Sequence, residues 1–289
     1  MALYTTSDTV AGILPDTIGA LIVQPVTAMS VAMEVADVIP TKSTKYRVPV
    51  VTDDPSAAWV AEGGEIPATD AVLDEIEVIP SKVAGLSIIS RELATDSTPE
   101  AQQIVGNGLA RDIAKKVDAA FFGTNITDDG PPIVRDAARP LGLLDVTGYQ
   151  SVDTSGTITN TDPFAEALSK AETVGATVTS FIAHPDTVLT LAKVKKADGS
   201  NEPLLGNDPT APTKRTVLGV PLYSSPAVAA GDIWAIPRDR VQVVLRDNVT
   251  LDVDGSAYFT SDRIALRATM RVGFAFPHAA AIVRLHDVA

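Results

Sequence analysis

The sequence predicts an α+β protein. Three observations indicate this class: a strand-like stretch in the first third of the chain, a long amphipathic helical pattern after it, and short apolar runs towards the C-terminus. The chain has 289 residues, of which 45% are hydrophobic, and is therefore long enough to bury a sizeable core.

Residues 1–45 are predicted to form an N-terminal arm. Pro15, Pro25 and Pro40 interrupt its pattern, although a short helix over residues 16–23 fits the sequence. The apolar side chains of this segment are too few to bury one another. The arm is therefore expected either to dock on its own subunit or to lie across a partner.

Residues 46–90 are predicted to form an extended β-hairpin. Its strands cover residues 46–51 and 73–89, where apolar and polar residues alternate imperfectly, and its tip, residues 53–70, is rich in Gly, Pro and acids. An isolated two-stranded ribbon is only marginally stable in water. Something outside the hairpin is therefore expected to support it.

Residues 98–122 form the clearest predicted helix. Ser97 or Thr98 can cap it, Pro99 suits its first turn, and Glu100 completes a capping box with Ser97. Every fourth position then carries an apolar side chain, which gives one stripe along the helix: Val105, Leu109, Ile113, Val117 and Phe121.

The rest of the chain alternates strands and helices before it becomes strand-rich. A loop region over residues 124–160 is expected to hold one hairpin at 143–159. Helices are predicted at 162–174 and 184–196, on either side of a buried strand at 178–183, and a polar loop follows at 197–215. The later strands are predicted at 217–222, 233–236, 241–245, 251–253, 264–274 and 279–285.

The sequence carries no pattern typical of catalysis or metal binding. It has no cysteine, and its three histidines do not fall in a metal-ligating spacing: His184, His278 and His286. Nucleophile-elbow and phosphate-loop patterns are also absent. We therefore expect no catalytic residue, no cofactor and no metal ion. A small α/β hydrolase with an unrecognised site is the remote alternative.

Two short patterns have a structural interpretation. Gly106 and Gly108 lie inside the helical pattern without a preceding strand, so we expect them to admit a neighbouring backbone rather than a dinucleotide. The segment 252–255 contains two aspartates but lacks the distal glutamate of a calcium loop, and a turn between strands is expected there.

The charge excludes a broad nucleic-acid-binding surface. The net charge is −13, whereas phosphate binding needs clustered lysine and arginine. An acidic surface would let DNA slide past without binding, or it would simply keep the protein soluble. No Lys or Arg precedes Lys42, and polar residues and prolines interrupt the apolar stretch 19–40, so neither a signal peptide nor a membrane span is expected. Synthesis in a reducing cytoplasm fits the lack of cysteine.

Several segments recur in an order and spacing that are jointly distinctive, although none is specific alone. They are residues 59–67 (WVAEGGEIP), 82, 90–96 (SRELATD), 112–114, 118–123 (DAAFFG), 183–185, 198–199, 217–222 (VLGVPL), 231–232, 262–267 (DRIALR) and 277–280. Together they resemble the major capsid protein family of tailed bacteriophages, which has the Hong Kong 97-type fold. The resemblance covers about residues 59–285.

The resemblance implies a subunit with an N-terminal arm at 1–45, an extended loop at 46–90, a peripheral domain at 91–160 with a spine helix at 98–122, and an axial domain at 161–235. Residues 236–289 would complete the last two domains. It also implies hexamers and pentamers in the icosahedral shell of a virion, around double-stranded DNA that is bound only non-specifically. Portal and separate scaffolding or decoration proteins would be further partners. An encapsulin-like bacterial nanocompartment is the alternative.

Two departures from the family matter. Some members carry a long scaffolding segment before the arm, whereas this arm starts almost at Met1, so scaffolding is expected to be separate or absent. Some members cross-link through a lysine of the extended loop. No lysine lies between Lys45 and Lys82, so this chemistry is expected to be missing.

Charged residues are the predicted contacts between subunits. The acidic tip, with Glu62, Glu65 and Asp70, is expected to meet basic residues of a neighbour. The candidates for those basic residues are Arg111, Lys115 and Arg139. The loop that ends in Lys214 and Arg215 is expected to lie around the five- and six-fold axes.

Overall fold

The structure is a computed structural model of the chain. It describes residues 30–53, 72–90, 100–128, 134–156, 158–197, 199–205, 215–254 and 258–288, with Ser256 and some positions between residues 55 and 70.

The described helices are α1 (Val31–Val35), α2 (Glu100–Phe122), α3 (Asp162–Thr173) and α4 (Pro185–Lys193). The strands are β1 (Asp37–Thr41), β2 (Tyr46–Asp53), β3 (Val72–Val78), β4 (Ser81–Ser90), β5 (Ile126–Asp128), β6 (Val134–Arg135), β7 (Gln150–Asp153), β8 (Ser180–Ala183), β9 (Thr216–Val217), β10 (Val220–Ser224), β11 (Ile233–Ile236), β12 (Gln242–Asp254), β13 (Arg263–Ala275) and β14 (Val283–His286).

A four-stranded sheet in the order β1-β12-β13-β4 forms the centre of one half of the subunit. β1 runs parallel to β12, and the other neighbours are antiparallel. β12 is one strand where two were predicted, at 241–245 and 251–253. Its register shifts between Arg246 and Thr250, so the irregularity falls in the gap between the two predicted strands.

Helix α2 lies on one face of this sheet. The predicted stripe is the face that it buries, since Ile113, Val117 and Phe121 are at most 2% exposed and pack against alternate residues of β13: Ala268, Met270, Val272 and Phe274. Burying each such side chain contributes roughly 1.5–3 kcal/mol. The predicted cap of the helix, residues 97–99, lies outside the described residues.

The glycines inside α2 do not have the predicted role. A Cβ on Gly106 would meet nothing within 4 Å, and one on Gly108 would meet only the end of the Arg111 side chain. The close approach is made instead by Gly85 of β4, where a Cβ would stand 2.9 Å from Leu109 Cδ2. A glycine in the strand, not in the helix, therefore lets α2 and the sheet come together.

A polar network ends α2. The Asp145 carboxylate accepts hydrogen bonds from Thr124 Oγ1 at 2.5 Å, Asn125 N at 2.8 Å and Gly142 N at 2.9 Å. Gly142 packs on the last turn so closely that a Cβ there would stand 2.4 Å from Ala120 O. These contacts turn the chain sharply after the helix.

A six-stranded sheet, ordered β7-β14-β11-β8-β10-β9, carries the other half. Helices α3 and α4 contribute Phe164, Ala167, Val188 and Leu191 to its core. Predicted strands and helices in this half are largely confirmed. The chain returns from β11 to the four-stranded sheet through β12 and β13, and then comes back as β14. The two halves share one apolar core, in which Trp234 and Ile182 join the residues of α2.

Some local predictions for this half are wrong. The hairpin predicted at 143–159 is a 3₁₀ turn (Leu143–Asp145) followed by β7, which pairs in parallel with β14. The strand predicted at 217–222 is a β9–β10 hairpin, because Leu218 and Gly219 adopt positive φ and reverse the chain.

The predicted ribbon is shorter than expected. β2 and β3 pair as a two-stranded ribbon, but the second strand predicted at 73–89 is two strands. The break lies at Ile79-Pro80, where proline cannot donate a ladder hydrogen bond. β4 then leaves the ribbon and pairs with β13, so residues 81–90 belong to the four-stranded sheet.

The end of the predicted arm is part of the subunit body. Ala32, Met33, Val35 and Ala36 are at most 2% exposed in the shared core, and β1 continues the sheet. The predicted helix at 16–23 lies outside the described residues.

Candidate assembly surfaces

The β2–β3 ribbon is held at its base only. Val48 and Val78 are buried there against Val244 and Ala275 of the sheet. Towards the other end Val51, Val72 and Leu73 are 51–69% exposed, and Trp59 in the tip is as exposed as in an extended chain. A large apolar side chain in this position finds nothing to bury it within the described subunit.

Acidic residues dominate the ribbon. Near the base, Glu75 lies 3.0 Å from Arg47, and Glu77 pairs with Lys45. Of the predicted tip contacts, Glu65 and Asp70 are exposed, and Glu62 lies outside the described residues. No lysine or arginine occurs between Arg47 and Lys82, so the sequence supplies no cation to balance the tip.

A buried carboxylate ties the N-terminal segment to α2. Asp118, 7% exposed, accepts hydrogen bonds from Ser30 Oγ at 2.6 Å, Ala32 N at 3.0 Å and Val31 N at 3.2 Å. It therefore satisfies the free amides at the start of α1. Burial raises the pKa of Asp118, and the three hydrogen bonds act in the opposite direction. No pattern in the sequence predicts this contact, because its partners are almost 90 residues apart.

Grooves lie on both flanks of α2. Arg111 and Lys115 are exposed on the rim of one groove of about 600 Å³, whose wall includes Pro226 and Ala227. Arg139 lines the other groove, of about 480 Å³, together with Asp112 and Lys116. The three predicted basic contacts are therefore separated by the helix and do not form one site.

The structure describes only part of the loop that is predicted to lie around the five- and six-fold axes. Arg215 is exposed immediately before β9, at the edge of the six-stranded sheet, and Lys214 lies outside the described residues.

The histidines and aspartates considered for chemistry have structural contacts. His184 Nδ1 accepts a hydrogen bond from Asp186 N at 3.2 Å and so caps α4. Asp252 pairs with Arg267 at 2.6 Å, and both lie within strands, so the turn expected at 252–255 begins later than predicted. Among the described residues no cluster of His, Asp or Glu could hold a metal ion, and no described helix is long and apolar enough to cross a membrane.

The face of the four-stranded sheet that α2 leaves uncovered, here called the open face, carries a group that the sequence analysis missed. Arg246, Arg271 and Lys82 lie opposite one another on β12, β13 and β4. In the sequence they are far apart, and only the strand register makes them neighbours. The alternation of residues 263–275 is a signal that could have placed charged side chains on one face of this strand, but it does not identify the strands beside it.

The fold and these surfaces define a structural subunit with exposed extensions. The model of the phage capsid family matches residues 11–287. The chain belongs to the phage capsid family and is a capsid shell protein, which confirms the predicted family and fold class.

Solved structures agree with this assignment. A chain from Mycobacterium phage Bobi matches with a TM-score of 0.69 and 17% identity over 90% of this chain and 91% of that chain. A chain from Microbacterium phage Oxtober96 matches with a TM-score of 0.69 and 17% identity over 89% and 91%. A chain described as the capsid of a native GTA particle matches with a TM-score of 0.66 and 21% identity over 100% and 96%. No curated protein matches in sequence.

Proposed function

We propose that copies of this chain form hexamers and pentamers of the icosahedral head shell of a tailed phage, around double-stranded DNA. The observation that carries the proposal is the β2–β3 ribbon, which packs at its base and exposes Trp59 at its tip. A free ribbon is marginal in water, so its far end needs a surface on another molecule.

The ribbon supplies apolar area for such a contact. Val51, Val72, Leu73 and Trp59 are more than half exposed. Apolar area removed from water contributes about 25 cal/mol per Å², and a few thousand Å² per subunit would hold a shell without covalent cross-links. This is consistent with the lack of lysine in the ribbon tip.

Other parts of the chain complete the proposed contacts. Residues 1–29 form an arm that lies across a neighbour, anchored where Asp118 holds residues 30–32. Arg111, Lys115 and Arg139 bind acidic groups of adjacent subunits, and Lys214 and Arg215 lie around the five- and six-fold axes.

The remaining partners follow from the same proposal. With a net charge of −13, the shell contacts packaged DNA only non-specifically. A portal and scaffolding or decoration proteins are its further partners, and the chain is made in the cytoplasm of the bacterial host.

Deleting residues 55–70 tests the proposal. The full chain is expected to give closed particles in negative-stain microscopy. The deletion variant is expected to give subunits that fold, as judged by circular dichroism, but do not form particles. Normal particles from the deletion variant would contradict the role of the ribbon.

The contents of particles from infected or expressing cells provide the second readout. The proposal expects DNA inside. Particles that enclose a protein cargo and no DNA would support the encapsulin-like alternative instead.

A further inference from the structure

The open face carries three cations in one row across adjacent strands. Arg246 of β12 is paired in register with Arg271 of β13, and Arg271 is paired with Lys82 of β4. The row is on the open face, because the residues next to it in each strand, Leu245, Val272 and Val83, pack in the core beneath α2.

Like charges placed directly opposite one another destabilise a sheet. Directly opposite Cβ atoms lie about 4.5–5.5 Å apart, and three strands span about 10 Å. Among the described residues, no carboxylate lies within ion-pair distance of Lys82, Arg246 or Arg271. Arg246 Nε is also enclosed, with no hydrogen-bond partner. Within the described part of the subunit, the row therefore has no acidic partner to balance its charge.

Arg267 is a cation on the same face that does have an acidic partner. It lies on β13, four residues before Arg271, and binds Asp252 across the strands at 2.6 Å. Among the described residues of the open face, the end beside the base of the ribbon, where Val78 packs over Gly273, is the part that holds three cations in one row without a described acidic partner.

The ribbon of the same subunit does not neutralise the row. Its basal glutamates, Glu75 and Glu77, are already paired with Arg47 and Lys45. At about 3.3 Å per residue, the eight residues of β2 place the far end of the ribbon about 25 Å from its base. The far end of β2 therefore lies about 25 Å along the ribbon from the residues that pack beside the row.

We infer that the Arg246–Arg271–Lys82 row is the receptor for the acidic ribbon tip of a second copy of this chain. The inference rests on the proposed function and replaces the expected receptors Arg111, Lys115 and Arg139 for this contact. Charge complementarity indicates that the acidic ribbon tip is the segment that binds the row. The segment from 48 to 81 contains eight acidic residues and no basic one: Asp53, Asp54, Glu62, Glu65, Asp70, Asp74, Glu75 and Glu77. Docking would relieve the repulsion within the row and neutralise the tip at the same time.

Arg271→Gln and its matched control Arg267→Gln test the inference in the full-length chain. Both remove one cation from the same face of the same strand. Sedimentation should show that Arg271→Gln raises the concentration needed for shell assembly about tenfold, as expected for one lost charge contact between subunits. Arg267→Gln should change it less than twofold. The melting temperature of the unassembled Arg271→Gln subunit should stay the same or rise, whereas loss of a purely structural residue would lower it.

A charge exchange gives the second measurement. Glu65→Lys with Asp70→Lys should block assembly, and adding Lys82→Glu with Arg271→Glu should restore it. Failure of the exchange to restore shells, or normal assembly of Arg271→Gln, would overturn the inference. If the 55–70 deletion still abolishes shells in that case, the proposed function stands and the tip docks elsewhere. Normal Arg271→Gln shells that lose DNA would also overturn it and assign the row to phosphate.

Discussion

Asp118 shows how a single residue can hold residues 30–32 against helix α2. Its carboxylate is buried beside Ser30 and accepts two amides of α1, so residues 30–32 cannot leave without exposing unpaired donors. Burial raises the pKa of this carboxyl above its ordinary value of 3.8. The proton is therefore held more tightly in the folded state than in the unfolded state. The associated stability is fully present below pH 3.8 and is lost as the pH rises through the folded-state pKa.

Urea unfolding of Asp118 variants should show both the loss of these hydrogen bonds and the change in the pH dependence of stability. Asp118→Ala leaves the Ser30 hydroxyl and two amides without their acceptor and should cost about 1–3 kcal/mol at neutral pH. As the pH rises from about 3.8 through the raised folded-state pKa of Asp118, the native protein should lose stability relative to Asp118→Asn, which cannot titrate. Asp112→Asn, an exposed change on the same helix, is the control. Parallel pH profiles for the native protein and Asp118→Asn would disprove the assignment.

At the scale of elements, the joint between the ribbon and the sheet decides where the ribbon points. Val78 and Pro80 cross directly over Gly273 of β13, and a Cβ there would stand 2.6 Å from Val78 Cγ1 and 3.4 Å from Pro80 Cα. The added Cβ would overlap the Val78 side chain, which is itself buried at the base of the ribbon, so this position favours glycine. The same proline separates β3 from β4 and so divides the ribbon from the sheet.

Gly273→Ala should displace the base of the ribbon at a cost of about 1–3 kcal/mol. Limited proteolysis should then cut the ribbon faster than in the native subunit, while α2 stays protected. Gly106→Ala is the matched control, because a Cβ there meets nothing within 4 Å and alanine favours a helix by about 1 kcal/mol. Unchanged cleavage of the ribbon in Gly273→Ala would show that the joint tolerates the extra methyl group.

At the scale of the whole molecule, the two sheets share one core but expose different edges. β9 ends the six-stranded sheet, with Arg215 exposed just before it, far along the chain from the ribbon. Contacts made at this edge can therefore change without disturbing the ribbon, and the two surfaces can be tested separately.

Reversing the charges at Lys214 and Arg215 to glutamate should change particle yield or shape in electron microscopy. The thermal unfolding of the subunit should not change, because Arg215 is exposed and surface changes usually alter stability by less than about 0.5 kcal/mol. Lys214→Arg with Arg215→Lys keeps the charge and serves as the control. Native-like particles from the reversed variant would exclude this loop from the contacts around the axes.

The sequence by itself determined the α+β class, the family, helices α2, α3 and α4, and several strands, among them β11. These features depend on neighbours in the chain: the apolar stripe of α2, Pro163 in the first turn of α3, and the cap of α4 by His184. Only the tertiary structure decided that residues 30–41 join the core, that β4 leaves the ribbon, and that Arg246, Arg271 and Lys82 form one row. Strand partners and register depend on contacts between distant residues, and a period of two in one strand does not determine which strand lies beside it.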